Sequence, residues 1–241
     1  FKALRGAFLN YRLPIRNSLI YKDMGFDKKE HIHKILFDPH ISRDFMIQYG
    51  KNPGMSDTEM IFNEFHEREM ELVKNINIIP ETKGVIDYLR NKKIKIGVTT
   101  GFNKEMAETI INNLSENGIE IDEFVSSSCL ASPGRPYPHM INHLMEEFKI
   151  TDPYHVMKLD DTVIGLKEGN MADVWTAGVA RWSINMKVKD VDEYDKMDNI
   201  GKDKKLKDCH KILKNGKSDY IFDTLNELPE IVEGLEYKIF W

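Results

Sequence analysis

The feature that most constrains this chain is a change of texture at Ile78-Ile79-Pro80. Before it, apolar residues recur at helical spacing in residues 3–9, 31–37 and 60–73. Pro14, Gly25, Asp38-Pro39 and residues 50–56 break these stretches apart. After it, short apolar runs alternate with helical patterns. Residues 81–91 read as a helix, 93–100 as a buried strand, 103–114 as a helix capped by Asn103, and 124–128 as a strand. Helix 138–148, strand 156–159, helix 165–171, strand 174–179, strand 220–222 and helix 225–235 continue the alternation. Such alternation predicts an α/β fold, a Rossmann-like core whose parallel sheet is covered on both faces. The expected division is a helical module over residues 1–77 and the core over 78–241.

Charge and composition narrow the function. A formal net charge of -5 leaves no basic footprint, so no nucleic-acid partner is expected. The lysines of residues 202–207 read as a solvated helix face. Cys129 and Cys209 form neither a CxxC pair nor a zinc spacing, as expected of reduced thiols in a cytoplasmic protein. No apolar run approaches the ~20 residues of a membrane span, and no signal peptide is visible, so no membrane partner is expected. The chain begins at Phe1 rather than Met, which reads as a truncated or processed form. The Lys- and Asp-rich residues 186–217 read as a solvated helical excursion.

Ligands of open α/β sheets bind beyond the carboxyl ends of the strands. The first such end reads Thr99-Thr100-Gly101-Phe102-Asn103, a hydroxyl and a glycine leading into a helix, which suits a phosphate cradle. Ala131-Ser132-Pro133-Gly134-Arg135-Pro136-Tyr137-Pro138 holds Arg135 stiffly between prolines, as bidentate phosphate contact requires. Asp160-Asp161 ends a third strand, where adjacent carboxylates suit Mg²⁺. Singly, a capped turn, a salt-bridged surface arginine and an acidic turn also account for these features. Together, on successive strand ends, they form a phosphoryl-transfer constellation that lacks its nucleophile.

These elements, with Lys167-Glu168-Gly169, Trp175-Thr176 and Asn215-Gly216, resemble the phosphonoacetaldehyde hydrolases of the haloacid dehalogenase superfamily over most of the chain. The helical module then corresponds to the family's cap. The family carries a Schiff-base lysine in a Met-Gly-x-x-Lys-x-Asp-His pattern. Here Met24-Gly25-Phe26-Asp27-Lys28-Lys29-Glu30-His31 places Lys28 on the lysine and His31 on the histidine, with Glu30 replacing Asp. The resemblance implies Lys28, His31, Thr100 and Arg135 as catalytic residues. It implies Met24, Thr99, Gly101 and Arg135 as substrate-binding residues, and Asp161 with Asp160 as ligands of Mg²⁺. It also implies a small phosphonate or phosphate substrate and a homodimer formed through the cap. An iminium on the lysine would act as electron sink for carbon–phosphorus cleavage. Lys29 and His31 are the expected cationic neighbours that would lower the pKa of Lys28.

Two departures stand out. The family's first core strand bears the nucleophile in Asp-x-x-Gly-Thr, which occurs nowhere in this chain. Without that strand the sheet should lack a central member, and the chain alone should be inactive and poorly folded. The fourth family motif reads Gly-Asp with a second Asp four residues later. Here Asp160 takes the first place and Gly165 the last, with Glu168 as a weaker substitute carboxylate that reads first as a helix-surface residue. A related phosphatase or phosphomutase, in which Lys28 only binds substrate, and a non-catalytic binding homologue are the competing readings.

Overall fold

The computed structural model describes residues 2–74 and 76–240, with backbone only for 236–240. Phe1, Asn75 and Trp241, which fall within the two expected domain ranges, lie outside the described residues.

Five helices lead the chain and make up the segment called the cap below: α1 (Lys2–Asn10), α2 (Asn17–Lys22), α3 (Lys28–Leu36), α4 (Pro39–Tyr49) and α5 (Met55–Val73). Their starts follow local chemistry. The Asp27 carboxylate accepts from the backbone N–H groups of Lys29 and Glu30, and the Asp38 carboxylate accepts from that of His40. Pro39 opens α4, and Gly50, at φ 68°, closes it in the left-handed conformation. Helices α1 and α3 pack on α5 around Phe8, Ile20, Ile32, Leu36, Ile61 and Phe65, all at most 3% exposed. Each such side chain contributes about 1.5–3 kcal/mol of burial free energy.

The core runs α6 (Thr82–Asn91), β1 (Gly97–Thr100), α7 (Lys104–Glu116), β2 (Glu123–Ser126), α8 (His139–Glu147), β3 (Met157–Asp160), α9 (Val163–Met171) and β4 (Trp175–Val179). It ends with α10 (Val191–Lys196), α11 (Asn199–Leu213), β5 (Tyr220–Phe222) and α12 (Leu228–Phe240). The expected strand over residues 93–100 is shorter than its sequence pattern. Asp122 turns the partner chain by donating its N–H to the carbonyl of Ile96, so pairing starts only at Gly97↔Glu123. Residues 186–217 are less solvated than expected. Leu206, Cys209 and Leu213 of α11 are buried against Leu166, Ala180 and Met186, while Lys204 and Lys207 stay exposed.

Every strand pairing is parallel, but the strands form two sheets, β1–β2 and β3–β4–β5. No described strand lies between β1 and β3. A cavity of about 570 Å³ fills that interval, lined by Val98 on β1, Leu159 on β3, Leu144 on α8 and Val232 on α12. The facing edges of β1 and β3 therefore have no ladder partner among the described residues. The walls of this cavity are largely apolar. No described helix is long and apolar enough to cross a membrane.

Candidate active site

Lys28 is the first residue of α3, so the Asp27 cap fixes where its side chain begins. The seam between cap and core is close. Lys28 N–H donates to the carbonyl of Gly101 at 3.2 Å, and the Ser127 hydroxyl donates to the Asp27 carboxylate. A Cβ on Gly101 would sit 2.7 Å from the Phe26 carbonyl oxygen, so only glycine allows this approach. Gly25, at φ +105°, would put a Cβ 2.7 Å from Thr162 Oγ1. These contacts bring the Lys28 amine over the carboxyl ends of the core strands. Its Nζ lies 3.9 Å from Met24 Sδ and 5.4 Å from the centroid of Phe102.

Burial pushes the pKa of Lys28 below the ordinary lysine value; Glu69 opposes the shift and Arg135 adds to it. The cationic neighbour is thus Arg135, rather than either of the two expected from sequence. Lys29 points away and pairs with Glu59. His31, 1% exposed, is held neutral: burial, and then the charge of Lys28, lower its pKa to about 4.

Below the amine sits a buried network that the sequence disclosed only in part. Arg135 donates to the Thr99 carbonyl at 2.7 Å and to its hydroxyl at 2.8 Å. The same guanidinium lies 2.9 Å from Glu168 and 3.4 Å from Asp160. Lys158 completes the group, 2.7 Å from Thr99 Oγ1, 3.2 Å from Asp160 and 3.3 Å from Glu168. Two cations thus face two carboxylates, which is what keeps four buried charges tolerable. Because Thr99 is on β1 and Lys158 on β3, the network bridges the two sheets at the carboxyl end of the slot. Lys158 was missed from sequence. Its signal was a lone cation in an otherwise apolar strand, at Met157-Lys158-Leu159. Glu168, expected as a helix-surface residue or substitute ligand, is fully buried and pairs with both cations.

Thr100 stands at the strand end, where its hydroxyl accepts from the N–H of Phe102 at 3.2 Å. The neighbouring acids differ. Arg135 and Lys158 hold the Asp160 carboxyl below the usual range despite its burial. Burial and the adjacent Asp160 push Asp161 up, although the N–H of Ile184 donates to its carboxylate at 3.3 Å. An under-neutralised carboxylate at a strand end fits a hard divalent cation. Mg²⁺ typically takes one or two carboxylates and completes its shell with water and substrate phosphate, so Asp161 with Asp160 beside it suffices. Among the described residues no group of three acidic, histidine or cysteine side chains gathers to hold a metal without such help.

The family model "Hydrolase: haloacid dehalogenase-like hydrolase" matches residues 25–173. A phosphonoacetaldehyde hydrolase of Latilactobacillus sakei is 32% identical over 231 residues, which cover 95% of this chain and 86% of that one. One from Bacillus cytotoxicus is 28% identical over 234 residues, 97% of this chain and 88% of the relative. The crystal structure of a phosphonoacetaldehyde hydrolase-like protein from Oleispira antarctica superposes with a TM-score of 0.92 at 22% identity, over 98% of this chain and 85% of that one, which establishes the shared fold. The chain belongs to the haloacid dehalogenase-like hydrolase family and, within it, to the phosphonoacetaldehyde hydrolases.

Proposed function

We propose that the chain hydrolyses the carbon–phosphorus bond of phosphonoacetaldehyde, giving acetaldehyde and phosphate. The observation that carries this reading is Lys28, an amine of lowered pKa held at the seam between cap and core, over the strand ends that bear Thr100 and Arg135. Its neutral form adds to the aldehyde carbon, and loss of water leaves an iminium. Attack of a carboxylate on phosphorus then breaks the carbon–phosphorus bond. The bonding pair moves into the iminium and leaves an enamine on Lys28. Protonation at carbon and hydrolysis release acetaldehyde, and water cleaves the phosphorylated carboxylate. The nucleophile in this scheme is an aspartate at the carboxyl end of a strand seated in the slot between β1 and β3. That slot supports the scheme, since it opens beside Thr99, Arg135 and Asp160.

Thr100 and Arg135 hold the phosphoryl oxygens. Arg135 is oriented in advance by Thr99 and Glu168, so little reorganisation accompanies charge build-up. Met24 and Phe102 keep water from the Lys28 amine. His31, being neutral, does not repel the developing iminium. Mg²⁺, held by Asp161 with Asp160, supplies charge neutralisation at the phosphoryl group when bound. The same reading pairs two copies through the cap, where Met46, Ile47, Met55 and Met60 are exposed.

Incubation with phosphonoacetaldehyde and borohydride, followed by peptide mass analysis, tests the proposal. A reduced two-carbon or phosphonoethyl adduct on Lys28, absent in Lys28→Arg, is the expected result. An adduct confined to other lysines, or an equal yield of adduct in Lys28→Arg, would sink it.

A further inference from the structure

The turn that follows β4 holds a bulky residue in a conformation that side chains rarely adopt. Trp182 stands at φ 69°, in the left-handed region. Glycine would take this φ without strain. Here the tryptophan side chain offsets the strain through its contacts. Its indole N–H donates to Glu81 Oε2 at 3.0 Å, and its ring centroid lies 5.2 Å from that of Tyr194 in α10. Glu81 is the N-cap of α6, placed between the last helix of the cap and the first helix of the core. Its largely buried carboxylate also accepts from the Thr224 hydroxyl at 3.1 Å and pairs with the Arg181 guanidinium at 3.3 Å. The N–H of Arg181 donates to the Asp223 carbonyl at 2.8 Å, so the chain just before Trp182 is fixed to the strand end of β5.

The far side of the same turn grips Asp161. The Ser183 hydroxyl, 2% exposed, donates to the Asp161 carbonyl at 2.7 Å. Ile184 N–H donates to the Asp161 carboxylate at 3.3 Å. Asn185 steadies the turn by donating to Ser183 Oγ from its backbone at 3.1 Å and from its side-chain amide at 3.2 Å. Trp182 is therefore a joint between two anchors, Glu81 before it and Asp161 after it. Relaxing its φ would carry Ser183 and Ile184 away from Asp161.

We propose that Glu81 is a positioning residue for Asp161, acting through Trp182. The Glu81 carboxylate pins the indole, the pinned indole holds the strained turn, and the turn aims the Asp161 carboxylate. Asp161 needs such a hold, because the adjoining Asp160 repels it. The acid assigned to the divalent cation is thus set from the segment that joins cap and core. The consequence for the cation rests on the reading of Asp161 as its ligand; the joint itself does not.

The test is a Mn²⁺ titration of the chain, with the free ion followed by electron paramagnetic resonance and thermal melting recorded alongside. Trp182→Gly relieves the backbone strain and removes the indole. It should leave the melting temperature close to that of the parent and weaken Mn²⁺ binding roughly 10-fold, the lower end of what loss of an outer-shell partner costs. A residue with only a structural role would move both readouts together. Trp182→Phe, which keeps a ring against Tyr194 but donates nothing to Glu81, should weaken binding in the same direction. Glu81→Leu should do likewise, and Glu81→Gln, which still accepts from the indole, should recover most of that loss. The double variant Glu81→Leu with Trp182→Gly should lose no more affinity than Trp182→Gly alone, since the two act along one path. Parental Mn²⁺ affinity in Trp182→Gly, or losses that add in the double variant, would overturn the proposal. A parent that binds Mn²⁺ no better than Asp161→Asn would overturn the cation reading and this inference with it. Binding that depends on Asp161 but ignores Glu81 and Trp182 would overturn this inference alone.

Discussion

At the residue scale, protonation of two buried groups gives the sharpest expectations. The lowered pKa of Lys28 means that its neutral, nucleophilic form persists to lower pH than in an ordinary lysine. Borohydride trapping should thus rise with pH through a midpoint below the usual lysine value. Glu69→Gln should move that midpoint lower still, because Glu69 opposes the shift. His31 acts on stability. Its pKa is about 4 in the folded chain against about 6.5 unfolded, so below pH 6.5 the unfolded state binds the extra proton. The folded state should lose roughly 3 kcal/mol between pH 6.5 and 4 from this group. Asp161 acts in the opposite sense, since its raised pKa penalises folding less as pH falls. His31→Leu should therefore flatten the acid limb of urea-unfolding stability plotted against pH. An unchanged limb would place the acid sensitivity elsewhere.

At the scale of elements, caps and turns set by local chemistry are legible in the sequence itself. Asn103 caps α7 by accepting from Met106 N–H at 2.9 Å, at the place its residue type announced. The glycines at the seam were legible only as turns, because the Phe26 carbonyl that forbids a side chain at Gly101 arrives from another part of the fold. Gly101→Ala should cost about 1–3 kcal/mol by forcing cap and core apart, and should slow trapping at Lys28. Gly84 is the contrast. It lies inside α6, exposed, with nothing within 4 Å of an added Cβ. Gly84→Ala should stabilise by ~0.5–1 kcal/mol, measured in the same urea titration, with trapping unaffected.

Across the whole molecule, the division into two sheets dominates. An apolar slot flanked by two strand edges without a ladder partner among the described residues is a template for an added strand. The chain should bind an apolar fluorescent dye there. A peptide with an apolar run leading into Asp-x-x-Gly-Thr should displace the dye, raise the melting temperature and confer phosphate release from phosphonoacetaldehyde. Dye binding that Leu144→Lys leaves untouched would locate the exposed surface elsewhere. Large apolar residues on the cap make association through that face an independent expectation, read by light scattering.

By itself the sequence determined the alternation of strands and helices, the caps, the family, and the candidacy of Lys28, Thr100, Arg135 and Asp161. Periodicity, capping and strand-end chemistry are local properties, and they survive in one dimension. Only the tertiary structure decided which charges neutralise which. Lys158 and Glu168 read as a strand lysine and a helix-surface acid until burial placed both against Arg135 or its partners. The lowered pKa of Lys28 likewise comes from burial under the cap, with the added field of Arg135, 107 positions further along the chain. Desolvation, pairing and excluded volume depend on residues far apart in the chain, so they exist only once it has folded.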